Sequence, residues 1–254
     1  TQTMEGYIKK MEEFNQELAA HRMRIYQETF HNLSGQSGNT YQLQGDAYDE
    51  TTMLQPALDR NVTVIKSNYL CNKLILSFLF REYEMALEHS LEAEKPTFQS
   101  ARGSYMLRMY YFYSALTFCK ILQKKLQGST IKGISEKKLR KKIKTYVQII
   151  KKWSVHVHEN FLHKYKLIQA ELSAIEGKDD EAKKLYREAL LIAEKEDFIN
   201  EVALICELAA DYYIRKDDKI KAKAHLNKAI RAYREWEAHA KVEDLKEYYK
   251  EFVQ

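Results

Sequence analysis

The sequence predicts an all-α chain, a superhelix of helix hairpins. Three observations carry this. Only 8 Gly and 2 Pro occur in 254 residues, so the chain has few places to break a helix or turn tightly. No stretch alternates apolar and polar residues long enough for a strand. Alanines recur seven residues apart at corresponding places in three helix pairs, and positions seven apart lie on one helical face two turns apart.

In chain order, residues 4–33 read as one long helix or two short ones, with Met4, Ile8, Met11, Leu18, Ile25 and Leu33 among the apolar positions. The opening "TQTMEGYIKK" is charged and already helical, and reads as the start of a piece of a longer protein. "SGQSGNTYQLQGD" (34–46) has three glycines and no helical period, so 34–60 is expected to be irregular around a short, helix-compatible stretch at Pro56. Paired helices follow at 61–80 and 83–95. Pro96 opens a loop over 96–104, helix 105–126 leads into a second loop at 127–135, and helix 136–153 comes next. The remaining pairs are 160–176 with 179–195 and 198–216 with 218–236, and a last helix spans 240–253. One repeat domain over 1–254 is the expectation.

The turns "REYEMA" (81–86), "GKDDEA" (177–182) and "DDKIKA" (217–222) align three of the pairs. Each ends in alanine, at Ala86, Ala182 and Ala222, and alanine returns at Ala93, Ala189 and Ala229. Four residues after the first alanine stand Ser90, Tyr186 and Leu226. Twelve before it stand Leu74, Ala170 and Ala210. Two antiparallel helices joined by a short turn must approach along one seam. Small residues permit the approach and a larger neighbour plugs the gap.

This pattern resembles the tetratricopeptide repeat, which carries small residues at these places around a "G-x-Y-x-x-A" turn. The 40-residue step from Ala182 to Ala222 exceeds the usual 34, and the family's tryptophan and proline are missing, so the resemblance is to a long-helix, divergent variety. Residues 159–214 ("ENFLHKYKLIQAELSAIEGKDDEAKK…") and 221–249 also resemble the repeat region of very large signalling proteins of bacteria and some fungi. Similar segments lie at 43–55, 72–95 and 111–116. In that family a Ser/Thr-kinase-like domain leads into a regulatory ATPase; the repeats follow, then a sensor module and often a histidine kinase. The resemblance implies a non-catalytic module whose partners are neighbouring ATPase or kinase domains, a peptide segment or a small-molecule effector. None of the family's kinase or ATP-binding motifs lies in this chain.

By the repeat pattern, first helices line a concave groove. Groove-facing candidates in the last two pairs are Lys164, Glu171, Glu207, Asp211 and Arg215, long polar side chains suited to clamping a peptide or domain.

Other chemistry reads weakly. "LSGQSGNT" (33–40) lacks the lysine and the strand–helix setting of a phosphate loop. His156, His158, His163 and Glu159 are metal-ligand types without the i, i+4 spacing of a zinc helix, so His163 is read as bonding a neighbouring turn. Cys71, Cys119 and Cys206 sit in apolar runs and read as reduced core thiols of a cytosolic protein. The aromatic run "MYYFYSALTF" (109–118) follows core spacing, although such a run could stack bases. "EKKLRKKIKTYVQIIKKW" (136–153) buries one stripe and exposes lysine. It reads as a solvated face, with nucleic acid or an anionic membrane as the alternative. No cofactor, metal or catalytic residue is expected. A stand-alone peptide-binding adaptor is the other alternative.

Overall fold

The computed structural model describes residues 2–60, 62–100 and 103–253. Thirteen helices occur among them and no strand; the single isolated bridge pairs Gln44 with Asp49. In order they are α1 (Gln2–Glu13), α2 (Glu17–Ser34), α3 (Glu50–Asp59), α4 (Thr63–Leu79), α5 (Tyr83–Ser100), α6 (Tyr105–Leu126) and α7 (Glu136–His156). Then come α8 (His158–Ile175), α9 (Asp179–Lys195), α10 (Ile199–Arg215), α11 (Lys219–Glu235), α12 (His239–Tyr248) and α13 (Lys250–Val253). None of the described helices is long and apolar enough to cross a membrane.

The all-α, paired-helix architecture agrees with the sequence, and the differences are local. The 4–33 region is two helices, broken where Asn15 takes φ +55°. Residues 50–59 of the irregular segment form α3, capped by the Asp49 carboxylate accepting from the Thr51 amide at 2.8 Å. The loop expected at 96–104 is shorter, because α5 continues through Pro96 to Ser100. Thr97, buried just beyond the proline, accepts from Ser67 Oγ at 3.2 Å and lies 3.5 Å from Cys71 Sγ. Tertiary contact with α4 thus holds the turn where proline removes a donor.

The chain divides into two compact units, residues 1–114 and 115–254. In the first, α4 and α5 form the hairpin predicted by Ala86 and Ala93, both fully buried, and α2 packs on α4. The 35–49 segment is ordered by side chains from α2 and from the start of α3. Asn32 donates to the Gln42 carbonyl at 2.7 Å, and the buried Glu28 accepts from the Ala47 amide at 3.3 Å. Glu50 accepts from the Leu43 amide at 3.1 Å and from Lys73 at 2.9 Å.

The second unit is built of α8–α9 and α10–α11 hairpins flanked by α7 and by α12 and α13. Its helix ends repeat every 20 residues. Gly177, Asp197, Asp217 and Glu237 each take positive φ, between 56° and 73°. The next amide in each case donates to the carbonyl five residues back: Lys178 to Ser173, Phe198 to Ala193, Asp218 to Tyr213 and Ala238 to Tyr233, all at 2.9 Å. This is the Schellman closure of a helix. The 40-residue hairpin step read from the alanines is two of these periods. Ala170, Ala182, Ala189, Ala210, Ala222, Leu226 and Ala229 are all 0% exposed, and Tyr186 is 2% exposed.

Candidate functional site

In the second unit α10 is the central helix, and its sequence "INEVALICELAADYYIR" places Glu201, Glu207 and Asp211 among apolar neighbours. A carboxylate in such surroundings needs a cation and hydrogen-bond donors. Each finds a lysine from a different helix. Lys164 of α8 lies 2.9 Å from Glu201, Lys241 of α12 lies 2.8 Å from Glu207, and Lys120 of α6 lies 3.3 Å from Asp211. Lys120 also reaches Glu171 of α8 at 3.1 Å.

Tyrosines complete the network. Tyr186 of α9 donates to Glu171 and Tyr233 of α11 to Glu207, the latter at 2.7 Å. Tyr249 donates to Asp211 at 2.8 Å. Lys241 bridges on to Asp244 at 3.1 Å, and Arg215 stands 3.5 Å from Asp211. Lys120 thus ties α6 to the first helices of both hairpins, α8 and α10, within this unit.

Charge state follows from these contacts. Burial works against the Lys120 charge, but Glu171 and Asp211 outweigh it and its pKa rises. Burial likewise disfavours the Asp211 carboxylate, yet Lys120, Arg215 and the Tyr249 hydroxyl hold its pKa below the usual carboxylate value. Tyr186 is pushed well up, by burial first and then by Glu171. At Lys164 burial wins over Glu201 and the pKa falls. Its ammonium donates to the Asn160 carbonyl at 3.2 Å, lies 2.9 Å from His163 Nε2 and sits over the Phe198 ring. His163 stacks on the same ring, and burial and then Lys164 lower its pKa to about 3.

The five residues expected to face an open groove therefore lie differently. Lys164, Glu171 and Glu207 are only 6%, 1% and 4% exposed, each engaged by other side chains. Asp211 and Arg215 keep about a quarter of their side-chain surface, 26% and 27%, at the margin of the network. The face was filled by residues the sequence reading did not select: Lys120, Lys241, Tyr233, Tyr249 and Glu201. One signal pointed to Lys120. It is the second of two cations, after Arg108, in the run "YMLRMYYFYSALTFCKIL" and stands amid its apolar second half, where a buried lysine requires an anion.

The remaining candidates separate in space. His156 and His158 are exposed at the junction of α7 and α8, whereas His163 is buried against Phe198. Among the described residues no three His, Cys, Asp or Glu side chains converge as metal ligands. All three thiols are buried and free, and burial raises the Cys71 and Cys206 pKa values to about 11 and about 12. In the aromatic run, Tyr110 donates to the Ser90 carbonyl at 3.1 Å and Phe118 packs on Tyr146 at 5.6 Å between ring centres.

Two clefts open elsewhere in the second unit. One, of about 490 Å³, lies between α9, α10 and α11, where Lys228 pairs with Glu194. The other, of about 260 Å³, lies between α6, α7 and α8. No protein-family model, curated protein or solved structure matches this chain.

Proposed function

We propose that this chain is a non-catalytic helical-repeat interaction module of a larger signalling protein, working in a reducing compartment such as the cytosol. The observation that carries the reading is the charge-locked stack: α6, α8, α10 and α12 are cross-tied by lysine–carboxylate pairs at 2.8–3.3 Å. Such ties make a scaffold of fixed register that can present outer surfaces to another polypeptide. The resemblance of 159–214 and 221–249 to the repeat region of kinase- and ATPase-containing signalling proteins supports neighbouring domains of the same protein as the partners. Control of such a domain requires that it bind the module differently in its two states. A small-molecule effector would act by changing that difference.

Cross-linking mass spectrometry on the parent protein, with and without ATP, tests this. Links from unit-2 lysines to another domain that change with nucleotide are expected. Links only to separate proteins would make the chain an adaptor. An absence of links to any other polypeptide segment would overturn the interaction reading.

A further inference from the structure

Helix α7 has two opposed faces. Leu139, Ile143, Tyr146, Val147 and Ile150 are buried in the unit. Counting about 100° per residue, Lys137, Lys141, Lys144, Lys151 and Lys152 fall on the opposite face, with Gln148 in their midst. All six are exposed. None of these five lysines joins an ion pair among the described residues, and the one acid of α7, Glu136, is held by Arg140 at 2.8 Å. The ridge runs about 22 Å at the helical rise.

The ridge borders the cleft of about 260 Å³ between α6, α7 and α8. Leu122, Ile143, Val147 and Leu172 give it apolar walls, while Arg140 and Lys144 stand on its α7 rim. Gln148 and Gln169 also line it. Glu176, on the α8 side, is engaged by Lys178 at 2.7 Å. The space equals roughly nine waters at liquid density, which a large apolar side chain would displace.

We infer that this surface binds an acidic polypeptide segment that places one bulky apolar side chain in the cleft and its carboxylates along the lysine ridge. The inference rests on the interaction-module reading and gives it a location and a partner chemistry. Charge complementarity selects a polyanion, and the apolar walls select among polyanions. A bilayer needs an outward apolar face to insert, and that of α7 is turned into the unit. Nucleic acid is met by exposed aromatic platforms and free bidentate arginine, and α7 offers neither: Tyr146 is buried, Trp153 is half-buried and packed on Phe161 at 5.4 Å between ring centres, and the one arginine is paired with Glu136.

The test uses the whole 254-residue chain and two fluorescein-labelled, Glu-rich helical peptides of equal length and charge. One carries a leucine pair at i, i+4 and the other carries alanines there. Fluorescence anisotropy should show the leucine peptide binding roughly tenfold or more tightly than its control, with both weakening as salt rises. Lys141→Glu with Lys144→Glu should weaken both peptides at least tenfold. Lys151→Glu with Lys152→Glu, farther along the ridge, provides a second exposed pair should the first disturb folding by circular dichroism. Gln169→Phe, which fills the cleft, should remove only the leucine advantage.

Equal binding or no binding of the two peptides overturns the proposal. So does unchanged affinity after charge reversal, or tighter salt-sensitive binding of DNA or phosphatidylserine vesicles through the same lysines. If the peptides fail while cross-links from unit 2 to another domain persist, the location is wrong and the interaction reading stands. Failure of both removes the reading itself.

Discussion

Replacing Lys120 by methionine keeps much of the side chain's volume and removes its charge. Lys120 is 4% exposed and faces Glu171, itself 1% exposed, at 3.1 Å and Asp211 at 3.3 Å. Asp211 keeps Arg215 and Tyr249, but Glu171 keeps only the Tyr186 hydroxyl among these partners. Stranding a buried carboxylate in this way costs about 3–5 kcal/mol, or roughly 6–20 °C in melting temperature for a chain of this size. Both tryptophans, Trp153 and Trp236, lie in unit 2, so fluorescence-detected urea unfolding reads that unit alone. Glu171→Gln preserves an acceptor for Tyr186, which makes a double-mutant cycle informative. The coupling between Lys120 and Glu171 should reach about 2 kcal/mol or more, against well under 1 kcal/mol for the exposed Arg140–Glu136 pair. A Lys120→Met cost below about 1 kcal/mol, with negligible coupling, would refute the closed network.

Three further outcomes are expected. The His163 pKa is lowered to about 3 from an unfolded value near 6.5. The stability it confers is therefore present above pH 6.5 and is lost as pH falls towards 3; between pH 7 and 5 it accounts for about 2 kcal/mol. A His163→Gln chain should show that much less acid loss in urea unfolding, and identical losses would discredit the assignment. A Cβ at Gly45 would meet Glu28 Oε1 at 2.2 Å, and Glu28 is 0% exposed and held by the Ala47 amide. Gly45→Ala should cost about 1–3 kcal/mol and speed hydrogen exchange across 42–49 without altering tryptophan fluorescence; unchanged exchange would show that Glu28 moves aside. Glu237 occupies a left-handed position at φ 61° and is exposed, so Glu237→Gly should gain about 1 kcal/mol in unit 2. A loss instead would reveal a role for its side chain.

The alanine seam was legible because it is a local, periodic signal. Ala182 and Ala189 announce a close face without reference to any other part of the chain. The turns were half legible. Gly177 marks one left-handed closure, but the same geometry at 197, 217 and 237 carries Asp, Asp and Glu, which no glycine rule finds. The inner face was legible in direction and not in state. Periodicity put Glu171 and Asp211 on the same side, yet what covers them comes from Lys120, 91 residues before Asp211. A pairing of that sequence separation leaves no trace in a local pattern. At Pro96 the propensity rule pointed to a loop, and the burial of Thr97 against α4 overrode it.

Seams of alanine spaced seven apart leave an ambiguity that the charges resolve. A slip of one helix by seven residues, about 10.5 Å along its axis, brings alanine opposite alanine again at small cost in packing. The same slip would carry Glu201, Glu207 and Asp211 of α10 away from Lys164, Lys241 and Lys120. Those lysines stand on three different helices, so no single displacement restores all three pairs. Buried ion pairs are poor stabilisers compared with apolar packing of equal volume and are better suited to specifying one arrangement. A chain with all three pairs replaced by leucine and methionine should therefore stay helical and unfold at equal or higher urea concentration. Its α10 amides should nevertheless give more than one set of NMR resonances. A single sharp set, matching the unsubstituted chain outside the changed positions, would show that the alanine seams fix the register unaided and that the charges on α10 serve some other purpose.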